Sequence, residues 1–225
     1  MKKYELTAEF IEKWGKKLFR IKALISFGSV EVGELGGYVE KEDNLAQDGN
    51  AWVYGNARVC GDAEVYGNAR VCGDAEVYGN AEVYGDARVC GDAEVYGNAR
   101  VCGNAEVYGN ARVCGDAEVY GNARVCGNAR VYGNAEVYGD ADYLLIGRIG
   151  SRFSFTTFFK NKDKGITVSC GCFLGTIAEF RAKVSDTHGN NKHAKIYNLA
   201  ADMAELQILG EEYFDKLNTN KSEPF

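Results

Sequence analysis

The chain has 225 residues, 28 of them glycine and one proline, and a formal net charge of −6. It opens Met1-Lys-Lys-Tyr-Glu-Leu-Thr7 without the apolar run of a signal peptide, and no stretch reaches the roughly eighteen apolar residues that span a bilayer. No basic tail or broad positive surface suits nucleic acid or an anionic membrane, so the expectation is a cytoplasmic protein that binds neither.

In chain order, residues 1–32 are expected to form an N-terminal capping segment. From Leu18 to Leu24, the apolar Phe19, Ile21 and Ala23 alternate with Arg20 and Lys22, which predicts a half-buried strand. Ahead of it, Thr7 followed by Phe10, Ile11 and Trp14 fits a short helix capped by the threonine, while Trp14-Gly15 also fits a hairpin turn. From Gly33 a six-residue frame begins. Gly33 to Tyr38, Val39 to Asn44 and Leu45 to Asn50 are degenerate units, expected to build an irregular first coil.

Ala51 to Asp140 is fifteen uninterrupted copies of Ala-x-Val-(Tyr or Cys)-Gly-(Asn or Asp). Ala and Val stand two apart, so in an extended backbone both point inward while the Arg or Glu between them meets solvent. Gly-Asn and Gly-Asp tolerate the left-handed backbone of a tight corner. So short a strand cannot be stable alone and must stack on copies of itself. The array holds seven arginines, seven glutamates and six aspartates, which is the whole net charge; the flanks balance at 19 basic and 19 acidic residues. Cys60, Cys72, Cys90, Cys102, Cys114 and Cys126 alternate with tyrosine at the fourth position, so free thiols in a reducing compartment are expected.

This phrase resembles that of the hexapeptide-repeat, left-handed parallel β-helix superfamily, which places an aliphatic residue inward with a small residue two positions before it. Val59 with Ala57 and Val95 with Ala93 match. The resemblance implies an all-β solenoid of about five to six coils with strands about 4.8 Å apart, followed by a small α+β C-terminal region. It also implies a homo-oligomer, a trimer above all. With three hexads to a coil, Tyr66, Tyr84, Cys102, Tyr120 and Tyr138 fall in one column, and Tyr54, Cys72, Cys90, Tyr108 and Cys126 in another. The first column reads as a tyrosine ladder that covers the backbone or as a partner interface. In the second, Cys72 and Cys90 become neighbours, close enough for a disulfide that a reducing compartment would disfavour. The superfamily's acyltransferases and zinc enzymes rely on histidines on the coils. This array has none, so no catalytic residue carries over and no cofactor is expected.

After the array, Gly147 to Lys160 gathers Arg148, Ser151, Arg152, Thr156, Thr157 and Lys160 among glycines, the ingredients of a phosphate site. The competing reading packs Phe153, Phe155 and Phe158 into the open end of the β-helix and turns their polar neighbours to water. Gly165 to Phe173 reads as a strand. Thr176 and Glu179 form a capping box for a helix that carries Ile177, Phe180 and Val184 on one side and ends near His188-Gly189. Cys170, Cys172, His188 and His193 supply metal-ligand types, although Cys-x-Cys is not the usual zinc spacing. A second helix from about Lys192 to Leu217 places Ile196, Leu199, Met203, Leu206, Tyr213 and Leu217 at three- and four-residue steps. That stripe is expected to pack across the end of the β-helix, with a seam between subunits as the alternative.

The expected organisation is a cap over 1–32, the β-helix over 33–146, a C-terminal cap over 147–217 and a disordered tail over 218–225. Gly36 to Asn44, Ile149 to Arg152, Ser169 to Phe173 and Thr187 to Asn190 resemble a group of bacterial and prophage-encoded hexapeptide-repeat proteins, which implies a mobile-element context. Three functions are weighed. One is noncatalytic binding of a phosphate-bearing, nucleotide-like molecule or a host protein, as in phage counter-defence. The others are a divergent acyltransferase or zinc enzyme, and a purely structural oligomer-forming element.

Overall fold

The computed structural model describes residues 2–210. The expected tail at 218–225, and the positions Tyr213 and Leu217 of the expected second helix, lie outside the described residues.

The chain begins with a hairpin, not a capped helix. Strand β1 (Tyr4–Lys13) pairs antiparallel with β2 (Lys16–Ala23). Trp14 and Gly15 turn between them with φ of 54° and 73°, both left-handed, as a two-residue hairpin connection requires. The alternation seen around Ile21 was therefore half of a longer ribbon. Trp14 lies 5.3 Å from the Tyr78 ring and Lys13 pairs with Glu76, so the ribbon is laid along the repeat array.

β2 then pairs with β3 (Leu35–Val39), which starts the solenoid. Fifteen short strands follow, β4–β18, from Trp52–Val53 to Glu136–Val137, one per hexad. They form three parallel faces: β3-β5-β8-β11-β14-β17 continuing from the ribbon, β4-β7-β10-β13-β16, and β6-β9-β12-β15-β18, so about six turns in all. Register is strict, with Arg58 beside Glu76 and Val59 beside Val77, eighteen residues on. Every alanine and valine of the repeat is buried, Ala57 through Val137 at 0 or 1 % exposure. The corner glycines from Gly55 to Gly133 are left-handed, as at Gly73 (φ +72°), where a Cβ would also stand 2.9 Å from the backbone nitrogen of Gly91 on the next coil. Only glycine meets both demands. Gly139, at the end of the array, is extended.

The outer surface stacks like on like. Tyr66 and Tyr84 lie face to face at 4.9 Å, as do Tyr78 and Tyr96 at 4.8 Å, which is the ladder reading of the tyrosine columns. Asn50 donates to Asn68, and Asn80 to Asn98, each at 3.0 Å. Cys72 and Cys90 are bonded to each other across a Cα separation of 4.6 Å. The expectation of free thiols throughout is corrected at this pair, because strict stacking brings two cysteines of one column within bonding distance.

An open solenoid leaves carbonyls unpaired at its first coil and N–H groups at its last, and side chains take up several of each. At the start, Lys3 Nζ donates to the carbonyls of Asp48 and Ala51, both at 3.0 Å. Tyr4 Oη lies 2.8 and 2.7 Å from those of Glu42 and Leu45 and shares its one proton between them, and Asn44 Nδ2 donates to those of Gly61 and Ala63. At the far end, the N–H of Arg124 donates to Asp140 Oδ1 at 2.8 Å, and that of Arg130 to Thr157 Oγ1 at 3.0 Å.

Lys3 is only 2 % exposed, and burial pulls its ammonium down to about 8, with Asp48 opposing. The native state thus releases this proton before the unfolded chain does, and the unfolded state binds more protons above that pH. Stability conferred through Lys3 therefore rises with pH from about 8 toward the ordinary lysine range. Urea titrations at pH 8 and 9 will show wild type gaining about 1 kcal/mol relative to Lys3→Met; a constant difference contradicts the buried ammonium.

Beyond the array, β19 (Tyr143–Ile149), β20 (Ser154–Lys160), β21 (Ile166–Cys170) and β22 (Phe173–Thr176) make an antiparallel sheet in that order. The expected boundary at 146/147 falls inside β19. Neighbouring residues of β20 serve two cores: Phe159 packs into the solenoid, Phe158 into the C-terminal cluster. Helix α1 (Ile177–His188) is capped by Thr176 and Glu179 as expected, and α2 (Lys192–Leu209) by Asn191.

The face that α2 buries differs from the one expected. Ala194, Tyr197, Ala200, Ala201, Ala204 and Ile208 face the core, while Ile196, Leu199, Met203 and Leu206 are 39 to 62 % exposed. Small alanines let the helix lie close against its neighbours, and the larger apolar side chains are left outside.

Candidate ligand pocket

Helices α1 and α2 close over the strand end at Cys170-Gly171 and the loop Gly150 to Phe153, leaving a pocket of about 200 Å³. On α1, Phe180, Lys183, Val184, Thr187 and His188 recur at three- and four-residue steps, so one helical face delivers the apolar floor and the polar rim together. Arg152 and Lys183 supply positive charge, Ser151, Ser154 and Thr187 hydroxyls, and Phe173, Phe180 and Tyr197 aromatic walls. The walls are held by edge contacts, Phe180 standing 5.6 Å from Tyr197 at 89° and 5.8 Å from Phe158 at 89°. His188 lies 5.7 Å from the Tyr197 ring at 29°.

Tyr197 is pushed up to about 12, first by burial and then by the Cys170 thiol, with Arg152 opposing. It stays a neutral hydroxyl at physiological pH. Gly150 makes room for it: at φ +71°, an added Cβ would fall 1.8 Å from the Tyr197 hydroxyl oxygen. The glycine predicted as part of a flexible phosphate loop is thus a close-approach site that seats an aromatic wall.

The six residues of the expected phosphate cluster are dispersed. Ser151 and Arg152 line the pocket. Arg148 is exposed at the irregularity near the end of β19, with a left-handed φ of 52°, and does not line it. Thr157 is buried as the acceptor that closes the last coil, and Thr156 is buried, donating to Cys170 Sγ at 3.2 Å. Lys160 pairs with Asp142 at 3.2 Å. Period-two alternation explains the dispersal, because it sends neighbouring side chains to opposite faces. The alternative that packs Phe153, Phe155 and Phe158 into the open end of the β-helix is corrected for all three: Phe153 is 73 % and Phe155 36 % exposed, Phe158 is buried in the C-terminal cluster, and the neighbouring Phe159 meets the solenoid instead. Lys183 and Thr187 went unselected, although their spacing from Phe180 and Val184 on a capped helix places them on its face.

The zinc grouping does not assemble. Cys170 lines the pocket, Cys172 is exposed, and the His188 and His193 rings lie 5.7 Å apart. Among the described residues, no group of three or more His, Cys, Asp or Glu side chains is placed to hold a metal ion. None of the described helices is long and apolar enough to cross a membrane.

Residues 123–139 match the family described as YdcK Beta solenoid repeat. That short match agrees with the parallel strands on which it falls. No curated protein matches the chain.

Proposed function

We propose that the chain is a noncatalytic binding protein whose solenoid holds the α1–α2 pocket rigidly and whose ligand is a phosphate-bearing, nucleotide-like small molecule. One observation carries this: Arg152 and Lys183 stand at the rim of a pocket walled by Phe173, Phe180 and Tyr197. Guanidinium and ammonium groups suit phosphoryl oxygens, and aromatic faces suit a planar base. The histidine-free array supports binding over catalysis. In this reading the chain is a cytoplasmic member of the hexapeptide-repeat superfamily from a prophage, sequestering a nucleotide signal as a counter-defence factor.

Calorimetry with a panel of nucleotides and cyclic nucleotides tests it. At least one compound will bind the wild type, and Arg152→Ala will weaken it about tenfold or more, the loss expected for one charge-assisted hydrogen bond. Silence across the panel, or equal affinity in the variant, overturns the reading.

The exposed stripe on α2 supports a second feature, association of copies of the chain. Ile196, Leu199, Met203 and Leu206 keep the alternating three- and four-residue spacing of a helix seam.

A further inference from the structure

A second polar pocket, of about 290 Å³, lies where the last coils meet β20 and is lined by Asn110, Arg112, Asn128, Arg130, Ser154 and Phe155. Its two arginines are direct register partners on the adjacent strands β14 (Arg112–Val113) and β17 (Arg130–Val131). Like charges opposite each other in a sheet repel. Arg112 is neutralised in part by Glu94 at 2.9 Å. Arg130 has no carboxylate partner among the described residues and reaches only the Gly171 carbonyl, at 3.4 Å. The amides of Asn110 and Asn128 have the same eighteen-residue separation as the hydrogen-bonded Asn104 and Asn122, yet no such bond joins them among the described residues. Phe155 forms the one aromatic side, seated against Gly147, where a Cβ would lie 2.6 Å from the ring.

Two guanidiniums, two uncommitted amides and the Ser154 hydroxyl thus face one cavity that offers no carboxylate of its own. We infer that this cavity is a second anion site, selective for a multiply charged phosphoryl group. The planar forks of two neighbouring arginines match several oxygens of a dianion at once, and such an anion removes their mutual repulsion. A monocarboxylate offers half the charge to the same pair. The inference does not rest on the α1–α2 pocket, with which this cavity shares only Ser154.

Inorganic pyrophosphate, titrated calorimetrically at low ionic strength into the full chain, is the probe, with acetate as the monoanionic comparison. Pyrophosphate will bind the wild type more tightly than acetate, Arg130→Gln will weaken it about tenfold or more, and Arg70→Gln, at an exposed arginine that lines neither pocket, will leave it unchanged. Asn128→Ala, an exposed change beside the arginine pair, will weaken it in the same direction and guards against misfolding of the first variant. No pyrophosphate binding, acetate bound equally well, or a loss in Arg70→Gln matching that in Arg130→Gln each overturns the second site. Failure of the nucleotide panel with pyrophosphate binding intact would remove the α1–α2 reading alone.

Discussion

Replacing Val101 by aspartate will destabilise the protein by more than about 4 kcal/mol, whereas Arg100→Gln one residue earlier will change stability by at most about 0.5 kcal/mol. Val101 is fully buried between Val83 and Val119 on the neighbouring coils. A carboxylate there meets only alanine and valine, so its charge is neither solvated nor paired. Arg100 faces solvent, 52 % of its side chain is exposed, and its contact with Glu82 is 3.5 Å long. Exposed ion pairs of this kind contribute little. In a stack where each coil contacts only its neighbours, a broken central coil also separates the two halves, so the damage exceeds one side chain. Urea unfolding of both variants checks this; similar small losses at both sites would mean that the inward column is not the core.

The double substitution Leu199→Glu, Met203→Glu will shift the protein to a smaller species in sedimentation velocity without lowering its melting temperature. These side chains are 62 and 57 % exposed in a single chain, so charging them costs no internal packing. On the buried side of α2 the alanines Ala200, Ala201 and Ala204 remain untouched. Across a seam between copies, the same substitutions set like charges against one another in place of apolar contact. Identical sedimentation of variant and wild type would show that the stripe joins no copies.

The solenoid was legible in the sequence because its determinants are local and repeated. Two inward residues, one left-handed corner and a fixed period specify a coil, and fifteen copies repeat the same instruction. The ends were harder, since the orphan groups there that find partners find them in individual side chains from distant positions rather than in a repeated pattern. Thr157 illustrates this. As a sequence feature it joined hydroxyls and basic residues in a phosphate-like cluster, but its partner is the N–H of Arg130, 27 positions away. Trp14 was misleading for a related reason: a large aromatic in a left-handed turn is uncommon, so the helical spacing from Phe10 competed with the hairpin until the pairing with β2 decided it. On α2, hydrophobicity pointed to the stripe of larger side chains. Close packing selected the alanine face and left that stripe outside. Of the expected phosphate cluster, Ser151 and Arg152 were correctly placed at the pocket in advance. Lys183 and Thr187 were hidden because helical phase places them beside the loop only once α1 has docked on the sheet.

The central claim is that a rigid, chemically silent array serves a ligand pocket at its C-terminal end. Native mass spectrometry of the protein as purified from cells, beside the Arg152→Glu, Lys183→Glu variant, tests it most directly. The account predicts a phosphate-containing small-molecule adduct on the wild type that the charge-reversed variant lacks while keeping its fold. A wild type free of any adduct, or an adduct that survives charge reversal at both positions, would contradict it.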